Sequence, residues 1–409
     1  MNSKELFSIA LGVSSPWHID DVSFTGEGHT KTLEIRMGFE RGYKFIDPES
    51  GAACSVHDTM DRHWRHLNFF EHACHIRCKV PRIRTPDGKV KQVSVPWARA
   101  GSGFTLMFEA FSMLLVESEM PVNKAAHILK EYPNRIWTIF NYWIELAYNE
   151  ADHSGITKLG IDETSAKKHH KYVTLAADMD NRSVVHVTQG KGADTITAIS
   201  AHLQAKGSPP EGIEQVCIDL SPAFISGVST EFPNAKITFD RFHVKKLLNK
   251  AMDQVRLKER RIHHALKGHK YTFLKGDKRL SQKRKAERED LLELYPVLGQ
   301  AYRLKELFDD FWEMKDPDDA GAFLQYWCDL ANDAGITPFS TFANTVLAHW
   351  SGILNYITSR INNGVLEGIN SKIQLAKRRA RGFRNTTNFI NMIYFTCGKL
   401  KFNYPQYST

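Results

Sequence analysis

The stretch that decides the fold reads TKLGIDETS from Thr157 to Ser165, then KYVTLAADMDNRSVVHVTQG from Lys171 to Gly190. The first piece has the character of a strand, and the second of two strands joined by a turn at MDNR. DTITAISAHLQAK follows, with Ile196, Ile199 and Leu203 on one helical face. EQVCIDL, ending at Leu220, is a buried strand. SPAFISGVSTEF is a helix with Ser221 as its cap and Pro222 in its first position. AKITFD, ending at Asp240, is strand again, and RFHVKKLLNKAMDQVRLKERR opens a long helix.

The order is β-β-β-α-β-α-β-α, three antiparallel strands followed by alternating strand and helix. That order is the topology of the RNase H-like fold, a mixed α/β class. From about residue 246 to 360 the pattern is helical throughout and reads as an insertion into that fold. It includes a very basic part, RLKERRIHHALKGHKYTFLKGDKRLSQKRKAERED, whose charge suits a solvated face. After it comes NNGVLEGINSKIQLAKRRARGF, Asn362–Phe383. Its single acid, Glu367, heads a helix that continues with Lys372, Lys377, Arg378, Arg379 and Arg381.

Upstream, residues 1–100 hold short strand-like pieces, with a hairpin turn at Asp87-Gly88. Buried aromatics such as Trp64, Phe69 and Phe70 suit a small core there. Residues 101–152 hold three helical blocks. The last two, VNKAAHILK and RIWTIFNYWIELAY, flank the turn EYPN, in which Asn134 is placed to cap the second helix. This is the layout of a helix-turn-helix. Its reading helix would present Asn134, Arg135 and Trp137 to DNA. A plain helical hairpin that only packs has the same pattern.

The 409 residues carry a net charge of +8, compatible with a nucleic-acid partner or an acidic surface. No apolar run of about 18 residues predicts a membrane span, and the N-terminus lacks a signal peptide's apolar core and cleavage site. Six scattered cysteines argue against a disulfide scaffold and for a reducing cytoplasm.

Asp162 in LGIDETS and Asp219 in VCIDLSPAF would stand on one edge of the sheet if their strands are adjacent. The closing helix could then bring Glu367 against that edge. Three carboxylates so placed repel one another unless cations lie between them. Hard oxygen ligands suit Mg²⁺ or Mn²⁺, and two such ions about 3.5–4 Å apart support phosphodiester chemistry. Asp162, Asp219 and Glu367 are therefore the candidate catalytic and metal-binding residues. Each also has an ordinary use, Asp162 in a turn and the other two at helix starts. Alternation along the strand turns Glu163 away from Asp162. Asp240 either caps its helix or, with His243, sits at the rim of the site.

GIDE at Gly160–Glu163, IDLSPAF at Ile218–Phe224, FDRFHV at Phe239–Val244 and the stretch around Glu367 together resemble the ISL-three insertion-sequence family of DDE transposases. VHDTMDRHWRHLNFF and VPWARAGSGFTLMFEA strengthen the resemblance, which covers about residues 40–400. It implies a zinc-ribbon-like domain over 1–100, a helix-turn-helix over 101–152, and an RNase H-like catalytic domain in two parts. Those parts are 153–245 and the closing helix and tail, 361–409, with the helical insertion at 246–360 between them.

By position, Asp162, Asp219 and Glu367 match the family's DDE triad. The resemblance implies strand cleavage at transposon ends, then attack of the freed 3′-OH on target DNA. The partners are terminal inverted repeats and target DNA, with Lys372, Lys377, Arg378, Arg379 and Arg381 on phosphates. A homodimer on DNA, in the bacterial cytoplasm with the nucleoid, is expected. The zinc knuckles depart from the pattern: Cys54 lacks a partner three residues away, and Cys74 and Cys78 are separated by three residues. Those cysteines with His57, His72 or His75 could supply four zinc ligands. Two rival functions stay open, a DNA-binding regulator that does not cut, and a nuclease of the RNase H-like class.

Overall fold

The computed structural model describes residues 2–27, 31–167, 171–276, 280–361 and 364–405. Asn362 and Asn363, from which the closing helix was expected to run, lie outside the described residues. The chain divides into two compact units, Met1–Trp143 with Phe402–Thr409, and Ile144–Lys401.

The first unit opens with α1 (Ser3–Ala10), then β1 (Trp17–Thr25), β2 (Thr32–Phe39), β3 (Phe45–Ile46), β4 (Ala53–Cys54), β5 (Val56–Phe69), β6 (His72–Arg84) and β7 (Val90–Gln92). Its main sheet runs β1-β2-β6-β5, with β7 on β6. Among its described strands, only β2 and β6 pair in parallel. The β6–β7 hairpin turns at Gly88, whose φ of +84° suits a residue without a Cβ. Trp64 is buried, but Phe70 is 80% exposed rather than part of the core.

Cys54, Cys74 and Cys78 are buried in this core beside Trp17, Ile35 and Trp64. Cys74 and Cys78 lie four residues apart on the buried face of β6. Four residues of strand span about 13 Å, whereas two thiolates on one zinc ion are at most about 4.6 Å apart. The two cannot share an ion, so the zinc set left open by the sequence, which used both Cys74 and Cys78 with Cys54, does not form, and the three are core thiols. Burial pushes the Cys74 thiol up to about 11 and the Cys78 thiol up to about 12, so both keep their protons.

Three helices follow, α2 (Leu106–Glu117), α3 (Val122–Ile128) and α4 (Pro133–Glu150). Thr105 caps α2 by accepting from the Phe108 amide at 3.2 Å. The fully buried Glu109 carboxylate accepts from Arg99 Nε at 2.9 Å and Trp143 Nε1 at 2.9 Å, tying α2 to α4. The start of α4 differs from expectation. Proline is preorganised for the first helical position, so the helix begins at Pro133 and Asn134 lies inside the first turn rather than capping it.

The second unit carries β8 (Lys158–Lys167), β9 (Lys171–Asp178), β10 (Ser183–Gln189), α5 (Ala193–Ala205), β11 (Gln215–Ile218), α6 (Pro222–Glu231) and β12 (Lys236–Phe239). The sheet order is β10-β9-β8-β11-β12. β8, β9 and β10 are antiparallel neighbours, and β11 pairs in parallel with both β8 and β12. Helices then continue as α7 (Arg241–Ile262), α8 (Lys270–Leu274), α9 (Gln282–Leu294), α10 (Pro296–Phe311), α11 (Pro317–Asp333), α12 (Thr337–Ala348), α13 (Trp350–Ser359), α14 (Gly364–Arg379) and α15 (Thr386–Cys397). Among the described residues none of the helices is long and apolar enough to cross a membrane.

The core of α10–α13, with Phe308, Trp312, Trp327 and Phe342, is continuous with the sheet core of Ile161, Val216 and Phe224. Both sheet edges are covered by later helices. At β12, α13 comes so close that a Cβ on Gly352 would lie 2.3 Å from the Phe239 ring, and Asn355 Nδ2 donates to the Ile237 carbonyl at 2.9 Å. At β10, the Val187 amide donates to Tyr394 Oη of α15 at 2.8 Å.

Candidate active site

β8 supplies Asp162, though not from its end. The strand continues to Lys167, but its pairing with β11 stops at Gly160–Cys217 because β11 has only four residues. Continuing that register by two residues sets Asp162 opposite Asp219, the first residue beyond β11. Asp219 Oδ1 accepts from the Ser221 amide at 2.9 Å and so shapes the turn into α6. This carboxylate, not the Ser221 hydroxyl, makes the capping bond at that turn.

α14 packs along β8 because Gly160 leaves room for it. A Cβ there would lie 2.5 Å from Met179 Sδ and 3.0 Å from Leu366 Cδ1. Leu366, Ile369 and Ile373 form the buried face of α14, and its polar side chains fasten it to the strand. Asn370 Nδ2 donates to Asp162 Oδ2 at 2.6 Å, and Gln374 Nε2 donates to Thr164 Oγ1 at 3.1 Å. The Lys377 ammonium donates to the Ser165 carbonyl. Burial holds the Asp162 carboxyl above the usual carboxylate range, with the Asp219 charge adding to it, against bonds from the Glu163 amide and Asn370 that favour the ionised form.

Beside the aspartates stands a second pair. Asp240 caps α7 by accepting from the Phe242 amide at 2.8 Å, and its other oxygen lies 2.8 Å from His243 Nδ1. Asp240 thus caps its helix, one of the two uses the sequence left open, and also contacts His243. The Asp240 contact raises the His243 imidazole above its ordinary value, with Asp219 and Asp162 contributing in the same direction, against its burial.

Glu367 is exposed, one turn before Asn370 on α14. Residues three apart on a helix have Cβ atoms about 5–6 Å apart, so Glu367 is neighbour to the residue that holds Asp162. Among the described residues, no three His, Cys, Asp or Glu side chains gather closely enough to hold a metal ion.

Lys372, Arg378, Arg379 and Arg381 are exposed along and beyond α14, while Lys377 is half-buried and already engaged with β8. At α4, Asn134 is exposed, and Arg135 lies over the Phe104 ring at 4.3 Å. Trp137 Nε1 donates to Asn123 Oδ1 of α3 at 3.2 Å, so this indole ties the helix pair together.

The family model described as "Transposase" matches residues 159–393, more than half the chain. A second, "Helix-turn-helix domain of transposase family ISL3", matches residues 93–144. The chain belongs to this transposase family. Among similar proteins is the "Transposase for insertion sequence element IS1001" of Bordetella parapertussis, 27% identical over 354 residues, covering 83% of this chain and 86% of that one. Another is the "Transposase for insertion sequence element IS1557" of Mycobacterium tuberculosis, 24% identical over 437 residues, covering 97% and 96%. This transposase thus has a helix-turn-helix segment over α2–α4 and a transposase domain over β8–α15. The domain begins three residues before Asp162 and ends well after Glu367.

Asn370 escaped the sequence reading. Its one available signal was its position three residues after Glu367, which places both on neighbouring turns of one helix face.

Proposed function

We propose that this transposase is a metal-dependent DNA strand-transfer enzyme of RNase H-like fold, with Asp162, Asp219 and Glu367 as its carboxylate triad. The observation that carries this is the meeting of Asp162 and Asp219 on adjacent parallel strands, with Asp162 held by Asn370 one turn from Glu367. The sheet order, with its antiparallel first three strands, supports the RNase H-like assignment.

The residues fit a hard divalent cation. Two carboxylates side by side need positive charge between them. The buried Asn370 Oδ1 has no hydrogen-bond partner among the described residues and adds an oxygen acceptor. Magnesium or manganese ions there would lower the pKa of the attacking hydroxyl and stabilise the leaving oxygen. Asp162 and Asp219 would provide fixed ligands to such ions, with Glu367 of α14 as the third. Asn370 orients Asp162. In cleavage, a water oxygen forms a new bond to phosphorus and the 3′ oxygen departs with a proton. In joining, that 3′-OH attacks a target phosphodiester and displaces its 3′ oxygen. Lys372, Arg378, Arg379 and Arg381 hold phosphates beside the reaction, and the exposed start of α4 meets the terminal repeats. Two ends must be processed together, so the working form is a dimer on DNA.

Supercoiled DNA with Mg²⁺ tests this. Wild type should nick it, while Asp162→Asn, Asp219→Asn and Glu367→Gln should abolish nicking and leave DNA affinity nearly unchanged. Normal nicking by Asp219→Asn alongside an inactive Asp240→Asn would move the second ligand to Asp240. One observation favours a non-cutting DNA-binding regulator instead, the exposure of the Glu367 side chain. Tight DNA binding with no nicking by wild type would select that reading.

A further inference from the structure

A groove of about 470 Å³ opens beside Asp219, lined by Asp219, Ser221, His243, Lys246 and Lys250. Two helices begin there, α6 after Ser221 and α7 after Asp240, and the starts of helices favour anions. The groove continues as a stripe. His243, Lys246, Lys250, Gln254, Lys258 and Arg261 recur every three or four residues and so share one face of α7. All but His243 are exposed. The opposite face buries Val244, Leu248, Met252 and Val255.

Three cations elsewhere on α7 are paired with acids. Arg241 reaches Glu313 at 3.5 Å, Lys245 reaches Asp309 at 2.7 Å, and Arg256 reaches Asp253 at 2.7 Å. Lys246, Lys250, Lys258 and Arg261 have no acid partner among the described residues. From His243 to Arg261 the stripe covers about 27 Å at 1.5 Å per residue. One strand of duplex DNA presents about eight phosphates over that length. In the sheet order, Asp162 and Asp219 stand between α14, which lies along β8, and α7, which leaves β12.

We propose that the α7 stripe is a second DNA track, holding backbone phosphates different from those held by α14 and leading them past Ser221 to Asp219. It rests on the aspartates being the cleavage site. The two tracks let one duplex cross the carboxylates with its backbone gripped on both sides.

The test uses the full chain and a random-sequence duplex of about 30 base pairs, with affinity followed by fluorescence anisotropy over about 50–200 mM salt. The stripe variant is Lys250→Gln/Lys258→Gln/Arg261→Gln. A control removes three exposed cations away from α7, Lys267→Gln/Lys283→Gln/Lys315→Gln. At about 0.9 per phosphate contact, the slope of log affinity against log salt should fall by about 2.7 in the stripe variant and stay near wild type in the control. Arg378→Gln/Arg379→Gln should remove about 1.8, and combining it with the stripe variant about 4.5, because different phosphates are lost.

Equal losses in stripe and control, no loss in either, or a combined loss no larger than one set alone would overturn the proposal. So would a stripe variant whose sedimentation changes without DNA, which would make the stripe a contact with a second copy of the chain. Magnesium-dependent nicking is measured separately. A protein that binds along the stripe but never nicks would refute the catalytic assignment and leave the track standing.

Discussion

Asn370 spends its amide hydrogens on Asp162 and thereby sets the angle at which that carboxylate meets Asp219. Residues that orient ligating groups typically affect metal affinity or activity by about 10–100-fold. Asn370→Ala should therefore keep DNA affinity and lower Mg²⁺-dependent nicking by about that factor. The Mg²⁺ concentration for half-maximal nicking should rise, while Asn370→Asp should fail to restore it by adding a like charge. Unchanged Mg²⁺ dependence in Asn370→Ala would leave the amide without an orienting role. At this scale the two aspartates were legible because each directly follows an apolar stretch of its strand, Leu159–Ile161 before Asp162 and Val216–Ile218 before Asp219. Asn370 was not legible, since an asparagine on a basic helix looks solvent-facing until β8 is known to lie beneath it. His243 was half legible: its spacing from Asp240 was visible, but not that the charges of Asp219 and Asp162 act on it as well.

At the scale of elements, α14 ends in a closed turn. The Gly382 amide bonds to the Lys377 carbonyl at 2.8 Å and the Arg381 amide to Arg378 at 3.1 Å, with Arg381 itself at φ +55°. Glycine normally takes that left-handed position, and a side chain there costs about 1–2 kcal/mol. Arg381→Gly should raise unfolding stability in urea by about 1 kcal/mol. If Arg381 holds a phosphate, the same change flattens the salt slope by about 0.9. A stability gain with no change in slope would remove Arg381 from the DNA surface. Strand and helix order could be read directly, because apolar periods of two and 3.6 alternate cleanly from Lys158 to Ile262. Where β8 parts from β11 could not, because it depends on β11 being four residues long. The start of α4 was misplaced because a proline first position and an asparagine cap compete for the same turn, and the proline prevails.

For the whole molecule, two compact units each have their own core, and the first owes nothing to a shared metal site on its cysteines. Prolonged dialysis against a zinc chelator should leave its melting transition where it was. A loss of the N-terminal unit's structure on chelation would contradict the spacing of Cys74 and Cys78. The family could be recognised from several short motifs in order, because each motif marks a place where the chain needs particular chemistry. The first unit could not be anticipated in the same way. Its parallel pairing of β2 with β6 joins segments about 40 residues apart, and nothing in either segment names the other.

The covered sheet edges carry a consequence for biosynthesis. Asn355 and Tyr394 seal β12 and β10, yet both residues emerge from the ribosome long after the strands they protect. Until then, each border offers unpaired amides and carbonyls to any neighbouring chain, the template from which aggregates grow. A product terminated before Tyr394 keeps one border open and should collect in insoluble material. Premature stops late in this gene would then yield inclusion bodies rather than a shortened competitor for DNA.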